Sequence, residues 1–308
     1  MNASAVVGTG YWGKKHAEEY AKLGLDVYAV DTSRDALESC ESFTKGQYTS
    51  IDEMCKNPDI RYVSVCTPND THYEVTKKLL ENDKHVLVEK PFVMTDPQGR
   101  ELIKLAKEKQ LTLAVGHIFR FNNAINFIKN RIDIFGKPRI VKLAWTNVEP
   151  IYNDRDILYD LATHPYDILL YLFDMEISNV FCIAQKWRQE QPESAFINFM
   201  MNGVLVDIEV SWVTPRKTRS LTIVGSDATA FVDCVKQTVN IYHNETKSIE
   251  PIDIVPNNTI QDELRAFINC VETRGTSVAD AEVGMKVVRL LEASKQSMET
   301  GQRQEVAN

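Results

Sequence analysis

The stretch Ala5-Val6-Val7-Gly8-Thr9-Gly10-Tyr11-Trp12-Gly13 decides the fold of this 308-residue chain. A short apolar run, typical of a strand, leads directly into three glycines with G-x-G-x-x-G spacing, and helical apolar spacing follows. In that context Gly8 permits a tight turn, Gly10 lets the backbone approach a pyrophosphate, and Gly13 allows close packing of helix on strand. The motif alone is a weak signal that also describes a simple glycine-rich turn, but its position between strand and helix favours a dinucleotide site.

The second predicted strand ends in Asp31, near the spacing of about 20 residues at which an acid meets the adenosine ribose. A carboxylate there favours NAD, because it repels the 2'-phosphate of NADP. Arg34 follows closely and can accommodate that phosphate, so NADP stays an alternative. We expect Tyr11 and Trp12 to contact the cofactor together with the glycines.

Composition narrows the class of protein. Hydrophobic residues make up 44% and charged residues 25%, which is ordinary for a globular protein. A net charge of -8 without a Lys/Arg block argues against nucleic acid. The six cysteines show no zinc-type spacing, so we expect no metal and a reducing, cytoplasmic setting. No signal-peptide pattern or membrane-spanning apolar run of about 18 residues is present, so we expect no membrane partner.

The first third of the chain alternates strands and helices. Continuous apolar strands separated by amphipathic helices predict a doubly wound parallel sheet, an α/β Rossmann domain over residues 1–118. The predicted strands are 5–7, 27–30, 62–66, 85–88 and 111–115, and the predicted helices are 13–23, 35–43, 73–80 and 96–109.

The pattern changes after residue 116. Residues 204–212 alternate apolar and polar, which predicts a strand with one buried face, and Asn202-Gly203 before them predicts a hairpin turn. We therefore expect residues 119–308 to form an α+β domain with a large, mostly antiparallel sheet for substrate binding and oligomerisation. Its predicted helices are 121–133, 158–173, 260–273 and 279–300, and its further strands are 140–148, 180–186, 194–201, 220–224, 228–235 and 238–242.

Two further motifs carry chemistry. Glu89-Lys90-Pro91 ends a predicted strand, and ligands of open α/β sheets bind beyond the carboxyl ends of strands. Lys90 there can interact with a substrate hydroxyl, although a lone lysine is also typical of a solvated surface. Asp160 and His164 share one helix face at i and i+4, so the carboxylate can orient a histidine base, with Asp167 behind it. A capping Asp with a structural His is the alternative.

Taken in order, these motifs resemble the glucose-fructose oxidoreductase / inositol dehydrogenase / MocA-like family over the whole chain. The residues that carry the resemblance are residues 8–13, Thr67-Pro68-Asn69 with His72, Glu89-Lys90-Pro91, and Asp160 with His164. The resemblance implies a catalytic set of Lys90, Asp160 and His164. It also implies that Thr67, Pro68, Asn69, His72 and Glu89 line the cofactor crevice, that the peptide before Pro91 is cis, and that the second domain makes a dimer contact.

A narrower resemblance, to UDP-N-acetylglucosamine 3-dehydrogenases and related UDP-sugar enzymes, rests on residues 116–122 and 214–219. It implies that Arg120 and Asn122 lie near the nicotinamide and the sugar. Arg216, Lys217 and Arg219, three cations between predicted strands, would bind a diphosphate, although a basic hairpin explains them equally well.

We therefore expect an NAD-dependent dehydrogenase that oxidises a sugar hydroxyl, with C3 of a UDP-N-acetylglucosamine-type substrate as the specific hypothesis. The alternatives are an inositol or free-polyol dehydrogenase and a non-catalytic, nucleotide-binding regulator of the same fold. A sheet with one uncovered apolar face predicts a homodimer or homotetramer. Loop position before the second motif is the only indication that Tyr152, Asn153 and Arg155 contact the sugar.

Overall fold

The computed structural model describes residues 3–151, 156–173 and 175–307, which fall into two compact units. Unit 1 comprises Met1–Ile118 and Asn258–Val288. Unit 2 comprises Phe119–Asn257 and Arg289–Asn308. The loop residues Tyr152, Asn153 and Arg155 lie outside the described residues.

Unit 1 contains the predicted parallel sheet. Six strands are ordered β3-β2-β1-β4-β5-β6, and every neighbouring pair is parallel. The strands are β1 (Ala3–Val7), β2 (Asp26–Val30), β3 (Gly46–Tyr48), β4 (Ile60–Val65), β5 (His85–Val88) and β6 (Leu113–Val115). The helices that accompany them are α1 (Tyr11–Lys22), α2 (Arg34–Glu38), α3 (Ile51–Cys55), α4 (His72–Glu81), α5 (Asp96–Glu108), α8 (Thr259–Thr273) and the start of α9 (Ala281–Thr300).

Both faces of this sheet are buried, as the continuous apolar strands predict. Along β1, Ala5 and Val7 belong to one hydrophobic cluster, whereas Val6 between them belongs to another. The first cluster continues into Leu102 of α5, and the second into Tyr20 of α1. Since side chains alternate along a strand, two clusters from one strand mean a sheet covered on both sides.

The division into units differs from the sequence-based one at the C-terminal end. Residues 119–308 were expected to form one domain, but Asn258–Val288 cluster with unit 1. Packing of α8 explains this, because Phe267 meets the ring of Tyr62 edge-on at 6.4 Å, and Gln261 donates a hydrogen bond to Glu19 on α1.

Unit 2 is built on a nine-stranded sheet of order β14-β13-β12-β11-β7-β10-β9-β8-β15. All neighbours are antiparallel except β7 and β10, which run parallel. The predicted hairpin turn is confirmed, since Asn202 and Gly203 have φ of 47° and 83°. The strands are β7 (Pro138–Val148), β8 (Asn179–Gln185), β9 (Ser194–Met201), β10 (Val204–Ser211), β11 (Val213–Gly225), β12 (Ala228–Asp233), β13 (Thr238–His243), β14 (Ser248–Ile252) and β15 (Gln304–Glu305).

The helical part of unit 2 departs from a single predicted helix over 158–173. Residues Leu158–Ala162 form a π-helical turn, and α7 (Thr163–Leu172) continues from it, while α6 (Asn123–Asn130) is shorter than predicted. Pro165, in the first turn of α7, has no N–H to donate to the carbonyl of Leu161. A wider turn before the proline accommodates that missing hydrogen bond. Within the described parts of the chain, no helix has both the length and the apolar character needed to cross a bilayer.

Candidate active site

The glycine-rich loop, residues 8–13, connects β1 to α1 and uses two of its glycines for steric reasons. Gly8 has φ of +85°, and a Cβ there would lie 2.7 Å from the carbonyl oxygen of Cys66. A Cβ on Gly13 would lie 1.8 Å from the carbonyl oxygen of Gly8. Any side chain at either position therefore collides with backbone, as the motif predicts for a turn packed tightly on its strand.

Gly10 differs from its two partners. A Cβ on Gly10 would meet no protein atom within 4 Å. Helix α1 begins directly after it, and no side chain caps the helix start. Uncapped amides at a helix N-terminus beside open space suit a pyrophosphate, so the loop fits the phosphates of NAD.

Asp31 lies against the same loop, at the end of β2. One carboxylate oxygen accepts the backbone N–H of Thr9 at 2.8 Å and its hydroxyl at 3.1 Å, and the other accepts the N–H of Ser33 at 2.9 Å. Each carboxylate oxygen has two acceptor sites, so capacity for ribose hydroxyls remains. Arg34 is exposed at the first position of α2. Contact of Asp31 with ribose and of Arg34 with a phosphate stay predictions.

The TPN turn, residues 67–69, follows β4, and His72 begins α4 behind it. His72 is 1% exposed. Its Nδ1 lies 2.7 Å from the carbonyl oxygen of Pro91, and its Nε2 lies 3.0 Å from that of Thr67. Burial lowers the pKa of His72, against the opposing effect of these two hydrogen bonds. The ring nitrogens of His72 thus contact backbone carbonyls of both turns, and contact of His72 with the cofactor stays a prediction.

The EKP turn, residues 89–91, follows β5, and its Lys90–Pro91 peptide is cis as expected. Glu89 is buried, with Oε1 3.0 Å from Nε2 of His16 and Oε2 accepting the backbone N–H of Lys90 at 3.1 Å. Burial raises the pKa of Glu89, but the hydrogen bond and charge of His16 and the charge of Lys90 outweigh it, so the net shift is downward. Glu89 therefore acts inside unit 1 and supports the turn that carries Lys90.

In unit 2, the structure surrounds the second motif with aromatic rings. Asp160 lies in the π turn, and its Oδ2 accepts the indole N–H of Trp212 at 3.2 Å. His164 is buried in α7, with the ring of Phe119 edge-on at 5.0 Å and the ring of Trp145 tilted at 6.4 Å. The π turn changes the angle between positions 160 and 164, so the shared α-helical face is not the ideal one that the spacing predicts.

The expected helper of His164 and two expected substrate contacts have other partners. Asp167 accepts a hydrogen bond from Nε of Arg120 at 2.7 Å, and both side chains are buried. Asn122 caps α6, accepting the N–H groups of Ala124 and Ile125, and is 1% exposed. These contacts stabilise unit 2 from within, and the expected roles of Arg120 and Asn122 at the substrate and of Asp167 behind His164 stay predictions.

The basic segment, residues 216–219, lies within β11 and not between strands. The register of β11 against β7 shifts between Val213 and Thr218, and Arg216 in that bulge has φ of 73°. Arg216 and Lys217 are exposed. Arg219 instead donates to the carbonyl oxygen of Thr146 at 2.9 Å. A bulge of this kind redirects side chains out of the ladder, so Arg216 and Lys217 are more exposed than Arg219, and binding of a diphosphate by these cations stays a prediction.

Sequence reasoning missed two residues of these sites, Trp212 and His16. Trp212 is fully buried at the end of the alternating segment 204–212, but its indole N–H also donates to Asp160. A buried tryptophan normally finds a hydrogen-bond acceptor, which was the available signal. The helical spacing of apolar residues in α1 gives no sign that His16 contacts Glu89.

The fold and these sites define an NAD-binding oxidoreductase, and the family models agree. Residues 3–117 match the oxidoreductase family described as having an NAD-binding Rossmann fold. Residues 153–306 match the C-terminal alpha/beta domain of the same family. The chain belongs to the Gfo/Idh/MocA oxidoreductase family and is an NAD-dependent dehydrogenase.

Among curated relatives, the UDP-N-acetylglucosamine 3-dehydrogenase of Acidithiobacillus ferrooxidans is 26% identical over 92% of this chain and 93% of its own length. The scyllo-inositol 2-dehydrogenase (NAD(+)) of Bacillus subtilis is 27% identical over 92% of this chain and 91% of its own. The solved structure of the Acidithiobacillus enzyme has a TM-score of 0.88, with 97% of this chain and 98% of that chain covered. A levoglucosan dehydrogenase complex with NADH and levoglucosan reaches a TM-score of 0.91 at 17% identity, covers 100% of both chains, and shows the fold alone.

Proposed function

We propose that this chain oxidises a ring hydroxyl of a UDP-sugar, of the UDP-N-acetylglucosamine type at C3, and passes the hydride to NAD. The observation that carries the proposal is the similarity, over nine-tenths of both chains, to a dehydrogenase of that substrate. The exposed pair Arg216 and Lys217 supports it, since two adjacent cations suit a diphosphate.

Three residues carry the proposed chemistry. Bound NAD supplies the hydride acceptor, and the protein supplies position and proton transfer. His164 removes the hydroxyl proton as a general base, with Asp160 setting the orientation of its ring. Lys90 donates a hydrogen bond to the same oxygen and stabilises the negative charge that develops there. Trp212 keeps the Asp160 carboxylate in place through its indole N–H.

The first experiment measures NADH formation with UDP-N-acetylglucosamine, other UDP-sugars, inositol and free hexoses, each with NAD and with NADP. We expect turnover of a UDP-sugar with NAD. His164→Ala and Lys90→Ala should each lower kcat by roughly 10²- to 10⁴-fold, the range of general acid–base catalysis. Intact turnover in the Lys90→Ala/His164→Ala double variant would overturn the mechanism.

The diphosphate role has its own matched pair of variants. Arg216→Ala/Lys217→Ala should raise KM for the UDP-sugar with kcat unchanged, because it removes an interaction made equally in ground and transition states. Lys236→Ala, an exposed cation after β12, is the control and should leave KM unaltered. Equal KM values in the wild type and both variants would contradict the proposal that Arg216 and Lys217 bind a diphosphate.

Inositol is the second candidate, favoured by the scyllo-inositol 2-dehydrogenase among the relatives. Turnover of inositol alone would establish it and would leave Arg216 and Lys217 without a phosphate to bind. Tight NADH binding with no turnover in the whole panel would instead favour the nucleotide-binding regulator.

We further propose a cytoplasmic location and a homodimer or homotetramer. The free state of all six cysteines suits a reducing compartment. The open face of the unit 2 sheet exposes large apolar side chains, among them Phe196, Met200 and Leu205. A second copy of the chain covering this face would bury them.

A further inference from the structure

Two buried histidines of unit 1 contact the residues on either side of Lys90. His16 is fully buried, and its Nε2 lies 3.0 Å from Oε1 of Glu89. His72 is buried as well, and its Nδ1 lies 2.7 Å from the carbonyl oxygen of Pro91. The EKP turn is therefore held at both ends by imidazole rings that come from different helices.

His16 connects the EKP turn to the glycine-rich loop. It lies on α1, the helix that the loop opens, and its Nδ1 is 3.0 Å from the hydroxyl of Ser64 on β4. That hydroxyl also lies 3.0 Å from the hydroxyl of Tyr20. The side chain of His16 thus spans from α1 across the sheet to Glu89, whose other oxygen accepts the N–H of Lys90.

The carboxylate of Glu89 has little freedom to move away from His16. A Cβ on Gly116, just after β6, would lie 3.1 Å from the Glu89 carboxyl group, so the glycine is what leaves room for it. An imidazole nitrogen of His16 and one carboxylate oxygen each of Glu89 and Glu263 all lie within 4.8 Å of one another, and all three residues are buried. A buried imidazole beside two carboxylates is a demanding arrangement that persists only when its geometry is closely satisfied.

His72 connects the EKP turn to the TPN turn. Its second nitrogen, Nε2, lies 3.0 Å from the carbonyl oxygen of Thr67. Carbonyl oxygens only accept, so a neutral imidazole, with its single N–H, donates to one of the two carbonyls at a time, and only the protonated ring donates to both. The shorter of the two contacts is the one to Pro91, directly after Lys90.

We propose that His16 and His72 are positioning residues that fix Lys90 relative to the glycine-rich loop and the TPN turn. The proposal rests on the proposed role of Lys90 at the cofactor and substrate. It assigns a functional task to two buried side chains, because they hold the three turns expected to surround the nicotinamide nucleotide in one arrangement.

Amide substitutions separate the two hydrogen bonds of each ring. Asparagine places its amide where histidine has Nδ1, and glutamine places it where histidine has Nε2. His72→Asn therefore keeps a donor for Pro91, and His72→Gln keeps only the contact with Thr67. For His16 the order reverses, because Nε2 is the atom that meets Glu89, so His16→Gln is the conservative variant and His16→Asn the disruptive one.

The readout is the dissociation constant of NADH, measured by fluorescence titration, which needs no substrate. We expect His72→Gln and His16→Asn to weaken NADH binding about tenfold, the effect of about one net hydrogen bond, and their conservative counterparts to stay within about twofold. His85→Gln is the matched control. His85 lies at the other end of the same strand, where its Nδ1 accepts the N–H of Thr112, so its loss should lower Tm and leave NADH binding unchanged.

A substrate identified in the panel adds a second readout. His72→Gln should then lower kcat in the wild-type background and have no further effect on kcat in a Lys90→Ala background. If no substrate of the panel is turned over, the proposed function fails, but the NADH titration still tests whether the two histidines position the turn. Equal losses of NADH affinity in the conservative and disruptive variants, in proportion to their losses of Tm, would reduce both histidines to structural residues. That result would overturn the proposal.

Discussion

At the scale of single residues, substitutions in the glycine-rich loop should separate effects on NADH binding from effects on folding. Gly10 has φ of -67° and open space where a Cβ would project, so Gly10→Val fits the fold and fills the place of the pyrophosphate. We expect Gly10→Val to weaken NADH binding at least about tenfold, because the phosphates lose their close approach to the backbone amides. Its Tm should stay near that of the wild type.

Gly13→Ala is the comparison for that prediction. Its Cβ would overlap the carbonyl oxygen of Gly8, so α1 must shift and Tm must fall. NADH titration together with thermal unfolding distinguishes the two variants. Equal Tm losses in Gly10→Val and Gly13→Ala would show that both glycines serve only the turn.

Residue identity predicted the cofactor loop but not the partners of charged side chains. Gly8, Gly13 and the position of Asp31 follow from a local motif whose geometry is the same wherever it folds. The contact between Arg120 and Asp167 joins residues far apart in the sequence, and nothing in either local segment specifies it. Partner choice at that range is decided by the packed fold, so sequence spacing alone did not predict this ion pair.

At the scale of elements, the buried pair Arg120–Asp167 joins the turn before α6 to α7. Only 6% and 2% of the two side chains are exposed. Removing one partner leaves an uncompensated buried charge, so Arg120→Met should lower the free energy of unfolding by about 3–5 kcal/mol. Denaturant unfolding of the variant checks this value.

The double variant tests whether the loss comes from the stranded charge. Arg120→Met/Asp167→Leu replaces the pair by apolar side chains and should recover most of the lost stability. Arg131→Met, an exposed arginine after α6, is the control and should change the free energy by less than about 0.5 kcal/mol. If Arg120→Met leaves the free energy of unfolding unchanged, the result would instead favour the predicted place of Arg120 near the substrate.

Elements with long apolar runs were predicted well, and elements fixed by context were not. Strands β1, β2, β4 and β5 have buried apolar residues in sequence, whereas β3 and α3 are only three and five residues long, too short to show a period. The bulge in β11 and the π turn before α7 depend on a strand register and on a proline in a packed helix. The periodicity of apolar residues along the sequence indicates neither the bulge nor the π turn.

At the scale of the whole molecule, the order of the motifs identified the family, because each occurs at the strand or helix end where a ligand binds. The same order does not determine the substrate. Two of the relatives that span this chain almost completely act, by their names, on a nucleotide sugar and on an inositol, at 26% and 27% identity. Substrate choice in this family therefore depends on a few side chains and not on the fold.

The last prediction concerns the open face of the nine-stranded sheet. Leu205 pairs with Met200, and Glu209, four residues on, pairs with Phe196, so all four side chains share one face. The opposite face, with Val206, Ile208 and Val210, is fully buried within unit 2. An apolar sheet face exposed in one chain is expected to be covered by a second copy in solution.

Leu205→Glu/Phe196→Glu should therefore convert the dimer or tetramer to a monomer in size-exclusion chromatography with light scattering, since the charges would be buried without partners. Val255→Glu is the control, because Val255 is exposed but lies outside the sheet strands, and it should leave the mass unchanged. A wild-type protein that is monomeric at micromolar concentration would contradict the proposed assembly. A mass that stays dimeric or tetrameric in the double variant would place the interface on another surface.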